Sequence, residues 1–383
     1  MHRFKLSAVA VVVALVLAAC GSSSEDEGPD SAKGSGGEAE DITFSLASAN
    51  FVSGLAWVWV GSHDSVGFYQ EENVNPTFVG SNGAADCTQS LVAKRVDVCM
   101  LIQDPVLNRA AETGDKLPVK FVYNYTYKVT NEIGVKPDSS AASIEDLAGK
   151  RIGVNALAHD TYNFAQRAFQ AAGLDPDAQE YIAVGQGAPA ITALYQNRVD
   201  ALVAYDIEWA IYDSIGQPVK VLPQVPAIAE VKGGPILAVR AEDVENRRDL
   251  IVRFMRALAK STLFSITNPA ATLQLHWDMY PESRPKEEVT PEVMKGQLAI
   301  VSARLPAIDK RRFDYVDSWG EFNEEGWEAY VTNILRHDVP DDVDPKEFYT
   351  NELIPDINDF DEEEVIKKAE DFPLDPEFQA AGG

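Results

Sequence analysis

The stretch KRIGVNALAHDTYNFAQRAFQAAGL, Lys150 to Leu174, changes hydrophobic period part-way along. Its first seven residues read as a short apolar strand. In the remainder Tyr162, Ala165, Phe169 and Ala172 fall on one helical face, and Gly173 supplies a C-terminal stop. The unit then repeats as strand EYIAV, loop GQGA, helix PAITALYQNR and strand VDALVAY (Val199–Tyr205). Pro189 stands where the first turn of a helix tolerates a missing N–H. Strands alternating with helices in this way predict parallel α/β sheets.

The pattern extends in both directions. Upstream, DITFSLAS (Asp41–Ser48) alternates as a strand, GAADCTQSLVAKR (Gly83–Arg95) reads as a helix and VDVCMLI (Val96–Ile102) as a buried strand. VKFVYNYTYKVT (Val119–Thr130), rich in β-branched and aromatic residues, reads as one long strand. Downstream, GPILAVR (Gly234–Arg240) leads into an amphipathic helix from about Arg248, with Ile251, Val252, Met255, Leu258, Ala259 and Leu263 on one face. NEEGWEAYVTNILRHD carries a further stripe of Trp327, Tyr330, Val331, Ile334 and Leu335. The acidic C-terminal residues, 356–383, read as a fraying tail in which Phe372, Leu374 and Phe378 are the residues able to dock.

At the other end Arg3 and Lys5 precede an apolar run, Leu6 to Ala19, of 14 residues. A spanning helix needs about 20, so the run has the shape of a secretory signal peptide. Leu17-Ala18-Ala19-Cys20 resembles a bacterial lipobox, which makes Cys20 the expected lipidation site; an ordinary signal peptide containing a cysteine is the alternative. Gly21 to Glu40 is Gly, Ser, Glu and Asp with almost nothing apolar, and reads as a flexible tether.

From Asp41 onward 343 residues remain, enough for two domains with proper cores. The net charge of −27, or −29 once Arg3 and Lys5 leave with the signal peptide, argues against nucleic acid, whose phosphates need Lys and Arg. Of three cysteines, Cys87 and Cys99 remain after Cys20; a disulfide and two separate buried thiols are both open. The five histidines are scattered with no partner at ligand spacing, so neither a metal nor a cofactor is expected.

In open α/β sheets ligands bind beyond the carboxyl ends of strands, where helix N-termini point N–H groups at the solute. That rule selects Asn50, with Trp57 and Trp59 close behind it, then Gln103 and Asp104, then His159, Asp160 and Thr161, then Gln186, then Tyr205, Asp206 and Glu208. Each has a plainer reading: Asp160, Thr161 and Asp104 as helix caps, the two tryptophans as core, His159 as a surface residue. No G-x-S-x-G, P-loop or G-x-G-x-x-G after a strand accompanies them, so catalysis is not expected.

FYQEENVNPTFVGSNGAADCTQSLVAKRVDVCMLI, IEDLAGKRIGVNALAHDTYNFAQRAFQAAGLDP (Ile144–Pro176), ITALYQNRVDALVAYDIEW (Ile191–Trp209) and FYTNELIP (Phe348–Pro355) together resemble the nitrate/sulfonate/taurine-type solute-binding proteins of ABC importers, grouped with the THI5-like pyrimidine-related proteins. The resemblance implies a type II periplasmic-binding fold, two α/β lobes joined by two hinge strands near Tyr125–Thr130 and Glu230–Pro235. The implied divisions are signal peptide 1–19, tether 20–40, first lobe 41–127, second lobe 128–232, and return to the first lobe with C-terminal helices 233–355. It also implies a monomer, tethered to the membrane by lipid, that closes on a small-molecule solute and docks on an ABC permease.

Where the family has a Gly/Ser-rich turn this chain reads Ala-His-Asp-Thr (Ala158–Thr161), and Trp209 replaces the proline after Glu208. The candidate loops offer Asp104, Asp160, Asp206 and Glu208 in place of cations, with Tyr123, Tyr125 and Tyr127 near the hinge. An aromatic, heteroaromatic or amine-bearing solute is therefore expected, with a sulfonate- or nitrate-type anion as the alternative. A THI5-like pyrimidine-synthesis enzyme and a sensor or adhesion lipoprotein are the readings from other classes.

Overall fold

Two five-stranded sheets of the same design organise the chain. The structure is a computed structural model and describes residues 38–379 apart from 47, 115, 158 and 336–343, all within one compact unit. The expected signal peptide, Cys20 and most of the expected tether lie outside the described residues. The strands are β1 (Glu40–Ser45), β2 (Val74–Val79), β3 (Val98–Leu101), β4 (Val119–Tyr123), β5 (Asn131–Val135), β6 (Arg151–Val154), β7 (Glu180–Ala183), β8 (Ala201–Tyr205), β9 (Lys220–Val221) and β10 (Ile236–Arg240). The main helices are α1 (Ala84–Val92), α2 (Asp104–Thr113), α3 (Asp160–Ala171), α4 (Ala188–Tyr195), α5 (Asp206–Ser214), α6 (Arg248–Thr267), α7 (Pro269–Met279), α8 (Pro291–Ala303), α9 (Glu324–Asn333) and α10 (Glu362–Glu370).

The first sheet runs β2-β1-β3-β10-β4 and the second β7-β6-β8-β5-β9. In each, one antiparallel strand is inserted beside three parallel ones, β10 between β3 and β4 and β5 between β8 and β9. These two inserted strands are where the chain arrives from the other sheet. The architecture is thus α/β, two lobes joined by two crossings. Proline at position 76 is compatible with β2 because that strand is an edge, where a missing N–H costs no ladder bond.

Val119–Thr130 is not one long strand. The ladder stops at Tyr123 and resumes at Asn131, because the chain must leave one sheet before it enters the next. The backbone between them finds other partners: Asn124 N–H donates to Gly320 O at 2.8 Å and Tyr127 N–H to Ala307 O at 2.8 Å. The Thr126 hydroxyl donates to Pro235 O at 2.9 Å, which ties the two crossings together. β1 begins at Glu40, so strand pairing reaches the last residue assigned to the tether.

In α6 all six residues of the expected face are buried. The buried stripe of α3 is rotated by about one position from the expected one. Thr161, Phe164, Ala165, Ala168 and Phe169 are inside, while Tyr162 and Ala172 are half-buried. The C-terminal residues through Gln379 do not fray. α10 packs on α6 through Val365 and Ala369, and Phe378 is buried with its ring 5.4 Å from that of Trp277. The few apolar residues of this acidic stretch are spaced to pack on α6 and α7. Cys87 and Cys99 are joined, their Cα atoms 5.9 Å apart, which couples α1 to β3.

His276 in α7 is fully buried between Trp59 and Tyr280, ring centroids 5.6 Å from each, with both ring nitrogens unpartnered. Burial pushes its imidazole down from 6.5 to about 4. The unfolded chain therefore binds this proton more readily, so stability is unaffected above the unfolded value and is lost as pH falls toward 4. The expected loss from this group is about 3 kcal/mol, from roughly 1.4 kcal/mol per unit. Urea midpoints at neutral and acid pH check it: His276→Leu should remove that share of the acid sensitivity, and an unchanged acid loss would show that other groups carry it.

Candidate functional site

The carboxyl ends of strands from both sheets open onto one cavity of about 230 Å³. The first lobe contributes Ser48 and Asn50 after β1, and Met100 and Leu101 at the end of β3. The second contributes His159 and Asp160 after β6, Gln186 and Gly187 after β7, and Tyr205 and Glu208 at and after β8. Tyr125 of the first crossing and Arg304, just past α8, complete the polar lining, while Val52, Leu55, Ile207 and Ile211 supply apolar wall. Because strands end where the following helices begin, the N-termini of α1, α3, α4 and α5 all border the same space.

Most of the charge is internally paired. His159 Nδ1 lies 2.6 Å from Asp160 Oδ1, and Asp160 Oδ2 accepts from the Tyr205 hydroxyl at 2.5 Å and from Asn131 Nδ2 at 2.9 Å. Burial works to raise the Asp160 carboxyl, but His159, Tyr205 and Asn131 outweigh it and hold it below its ordinary value. Burial likewise works to lower His159, and the neighbouring carboxylate raises it. Arg304 grips Asp206 with Nε at 2.9 Å from both oxygens and Nη2 at 2.7 Å. That fork is a bidentate pair removed from solvent, each side chain at most 12% exposed.

Glu208 differs. It is buried, it borders the cavity, and among the described residues it makes no ion pair. Oε2 accepts from Tyr205 N–H at 3.2 Å, and Oε1 lies 3.4 Å from the Tyr212 hydroxyl. Burial raises its carboxyl above the ordinary value, with hydrogen bonds from Tyr205, Gly187 and Gln186 offsetting part of the effect.

Of the residues singled out in the sequence, Asn50, Tyr125, His159, Asp160, Gln186, Tyr205 and Glu208 meet at this cavity. The others do not line it. Trp57 is buried behind Tyr125, their rings 5.1 Å apart, and Trp59 is also core. Gln103 Nε2 donates to Gly234 O at 3.0 Å and so braces the return crossing. Asp104 accepts from the Tyr330 hydroxyl at 2.5 Å beside a separate small void; burial pushes its carboxyl up to about 7. Thr161 accepts from Asn155 N–H at 3.0 Å and fixes the loop ahead of α3. Asp206 lies behind Arg304, its charge spent on that guanidinium. Of the three hinge tyrosines only Tyr125 reaches the cavity; Tyr123 and Tyr127 are core.

Strand-end reasoning missed Tyr212, one turn along α5 from Glu208, and Arg304. Arg304 is the more distant of the two. It comes from outside the α/β repeat and almost a hundred positions from its partner. Its one signal is local: a single cation inside the apolar run VSARLPAI (Val301–Ile308) must either reach solvent or find a buried anion. A cation therefore does border the cavity, from outside the candidate loops, and Asp206 already neutralises it.

Residues 63–272 match the NMT1/THI5-like family. The chain belongs to that family. A search of curated proteins finds no match. Among solved structures, a protein from Bordetella bronchiseptica RB50 is 17% identical, with 83% of this chain and 96% of that one covered and a TM-score of 0.60. The periplasmic aliphatic sulphonate-binding protein from Escherichia coli is 16% identical, with 71% and 94% covered and a TM-score of 0.51. The desulfurization enzyme DSZB is 13% identical, with 83% and 98% covered and a TM-score of 0.51. At these identities the likeness shows the fold, the periplasmic-binding-protein fold of two α/β lobes. Among the described residues of this NMT1/THI5-like chain, no helix is long and apolar enough to cross a membrane.

Proposed function

We propose that this chain is the extracytoplasmic solute-binding receptor of an ABC importer, working by capture and not by catalysis. It is exported, held at the membrane through acylated Cys20, and acts as a monomer that presents its closed form to a permease. The observation that carries the receptor reading is the cavity itself, set between lobes that contribute polar residues from both sides. Such a site is assembled only when the lobes are together, which links occupancy to shape.

The solute is a small single-ring organic molecule bearing N–H groups or an amine. The volume of about 230 Å³ exceeds the roughly 150 Å³ that accommodates benzene, and leaves room for a ring with short substituents. Tyr125, Tyr205 and Tyr212 provide aromatic surface. With Arg304 committed to Asp206 and His159 to Asp160, the residual charge of the lining is the carboxylate of Glu208, which favours a cation or an N–H donor. A sulfonate-type anion is the second reading, favoured by the N-termini of α1 and α4, which carry no side-chain cap.

A thermal-shift panel of aminopyrimidines, ring amines, aromatic carboxylates, alkanesulfonates and nitrate tests both readings. A solute held at about a thousand times its Kd adds about 4 kcal/mol to the native state. A saturable shift confined to the nitrogenous ring compounds supports the proposal. A shift confined to sulfonates or nitrate overturns the solute class, and no shift from any class counts against capture.

A further inference from the structure

We propose that α8, together with Arg304 at its end, is a latch across the two lobes that must release before they can separate around the cavity. α8 lies beyond residue 272, where the family match ends, and follows the return of the chain to the first lobe. Yet its most extensive packing is against α5, the helix that follows β8 in the second lobe. It also rests on the short helix Ser53–Val58 of the first lobe, so it touches both sides of the cleft.

The contacts are as close as backbones allow. A Cβ on Gly54 would stand 2.7 Å from Ile207 Cγ2 and 2.9 Å from Ile300 O, so first lobe, second lobe and α8 meet at one point. A Cβ on Gly296 would stand 3.2 Å from Ser214 Cβ, which is where α8 and α5 approach each other. Arg304 then closes the seam by its fork onto Asp206 at the start of α5, and it borders the cavity directly. A separation of the sheets that carries α5 away while Arg304 stays with the first lobe has to break this pair. The segment leading into α8, Pro281–Thr290, is mostly exposed, whereas α8 itself buries Met294, Ile300 and Val301, so its release has to undo packing as well as the ion pair.

The test needs no solute and therefore stands or falls separately from the receptor reading. In a Met100→Cys chain the new thiol lies in the cavity wall, and its rate of modification by a maleimide, read by peptide mass spectrometry, reports opening. Ala257→Cys, buried in α6 away from the cavity, reports general unfolding. Arg304→Gln should speed labelling at position 100 by about tenfold or more, because a buried pair is lost. Gly296→Ala, which presses α8 against Ser214 of α5 without touching the ion pair, should speed it by about threefold while favouring the helix itself. Neither should change labelling at position 257. If Arg304→Gln does not fold, Gly296→Ala decides alone. Unchanged labelling at position 100, or equal acceleration at positions 100 and 257, overturns the latch.

Discussion

Arg304→Met should destabilise the protein by about 3–5 kcal/mol at neutral pH, the usual consequence of stranding one member of a buried pair. The guanidinium is 5% exposed and satisfies both oxygens of Asp206, which the methionine leaves as a mostly buried charge with no cation beside it. The companion double variant, Arg304→Met with Asp206→Asn, should recover most of that loss, since it removes the stranded charge along with its partner. Urea unfolding of the three proteins with a common m-value reads the effect. A single variant within about 1 kcal/mol of the parent would mean that the pair contributes nothing beyond an ordinary surface contact.

Glu208→Gln should weaken capture of an amine-bearing ring solute by a factor of about 30 or more, from the roughly 2–5 kcal/mol at stake when one partner of a buried charge pair is truncated. An uncharged ring of the same shape should lose far less. The same residue sets a pH dependence. Burial raises the Glu208 carboxyl, so it takes up a proton at a pH where exposed glutamates remain ionised. Affinity for the cation should therefore fall on the acid side as pH passes down through that raised value, and the fall should be absent in Glu208→Gln. Calorimetric titration across pH reads both. Equal losses for charged and uncharged solutes would show that Glu208 acts by shape alone.

Local signals were sufficient for the α/β alternation because each strand and helix carries its own period. They failed where the constraint was not local. The crossing at Asn124–Thr130 has strand composition, and only the need to change sheets interrupts it. β2 lacks a clean alternation, and its pairing with β1 gives it away only in three dimensions. The strand-end rule found the cavity because topology alone dictates that those ends converge. It also took in Gln103, Asp104, Thr161 and Asp206, which stand at the right ends but turn toward the crossings, Tyr330, the backbone of Asn155 and Arg304. The direction of a side chain after a strand depends on the next turn, which composition does not specify. Arg304 was invisible to that rule because it reaches the site from a helix outside the repeat.

The most direct measurement is a crystal structure of the protein with the nitrogenous ring solute that gives the largest thermal shift. One solute per chain is expected in the cavity between the lobes, its N–H or ammonium group within hydrogen-bond reach of Glu208 and its ring against Tyr125 or Tyr205. A solute bound outside that cavity, or held there with its nitrogen turned away from Glu208 and an anionic group on the N-terminus of α1, would contradict it.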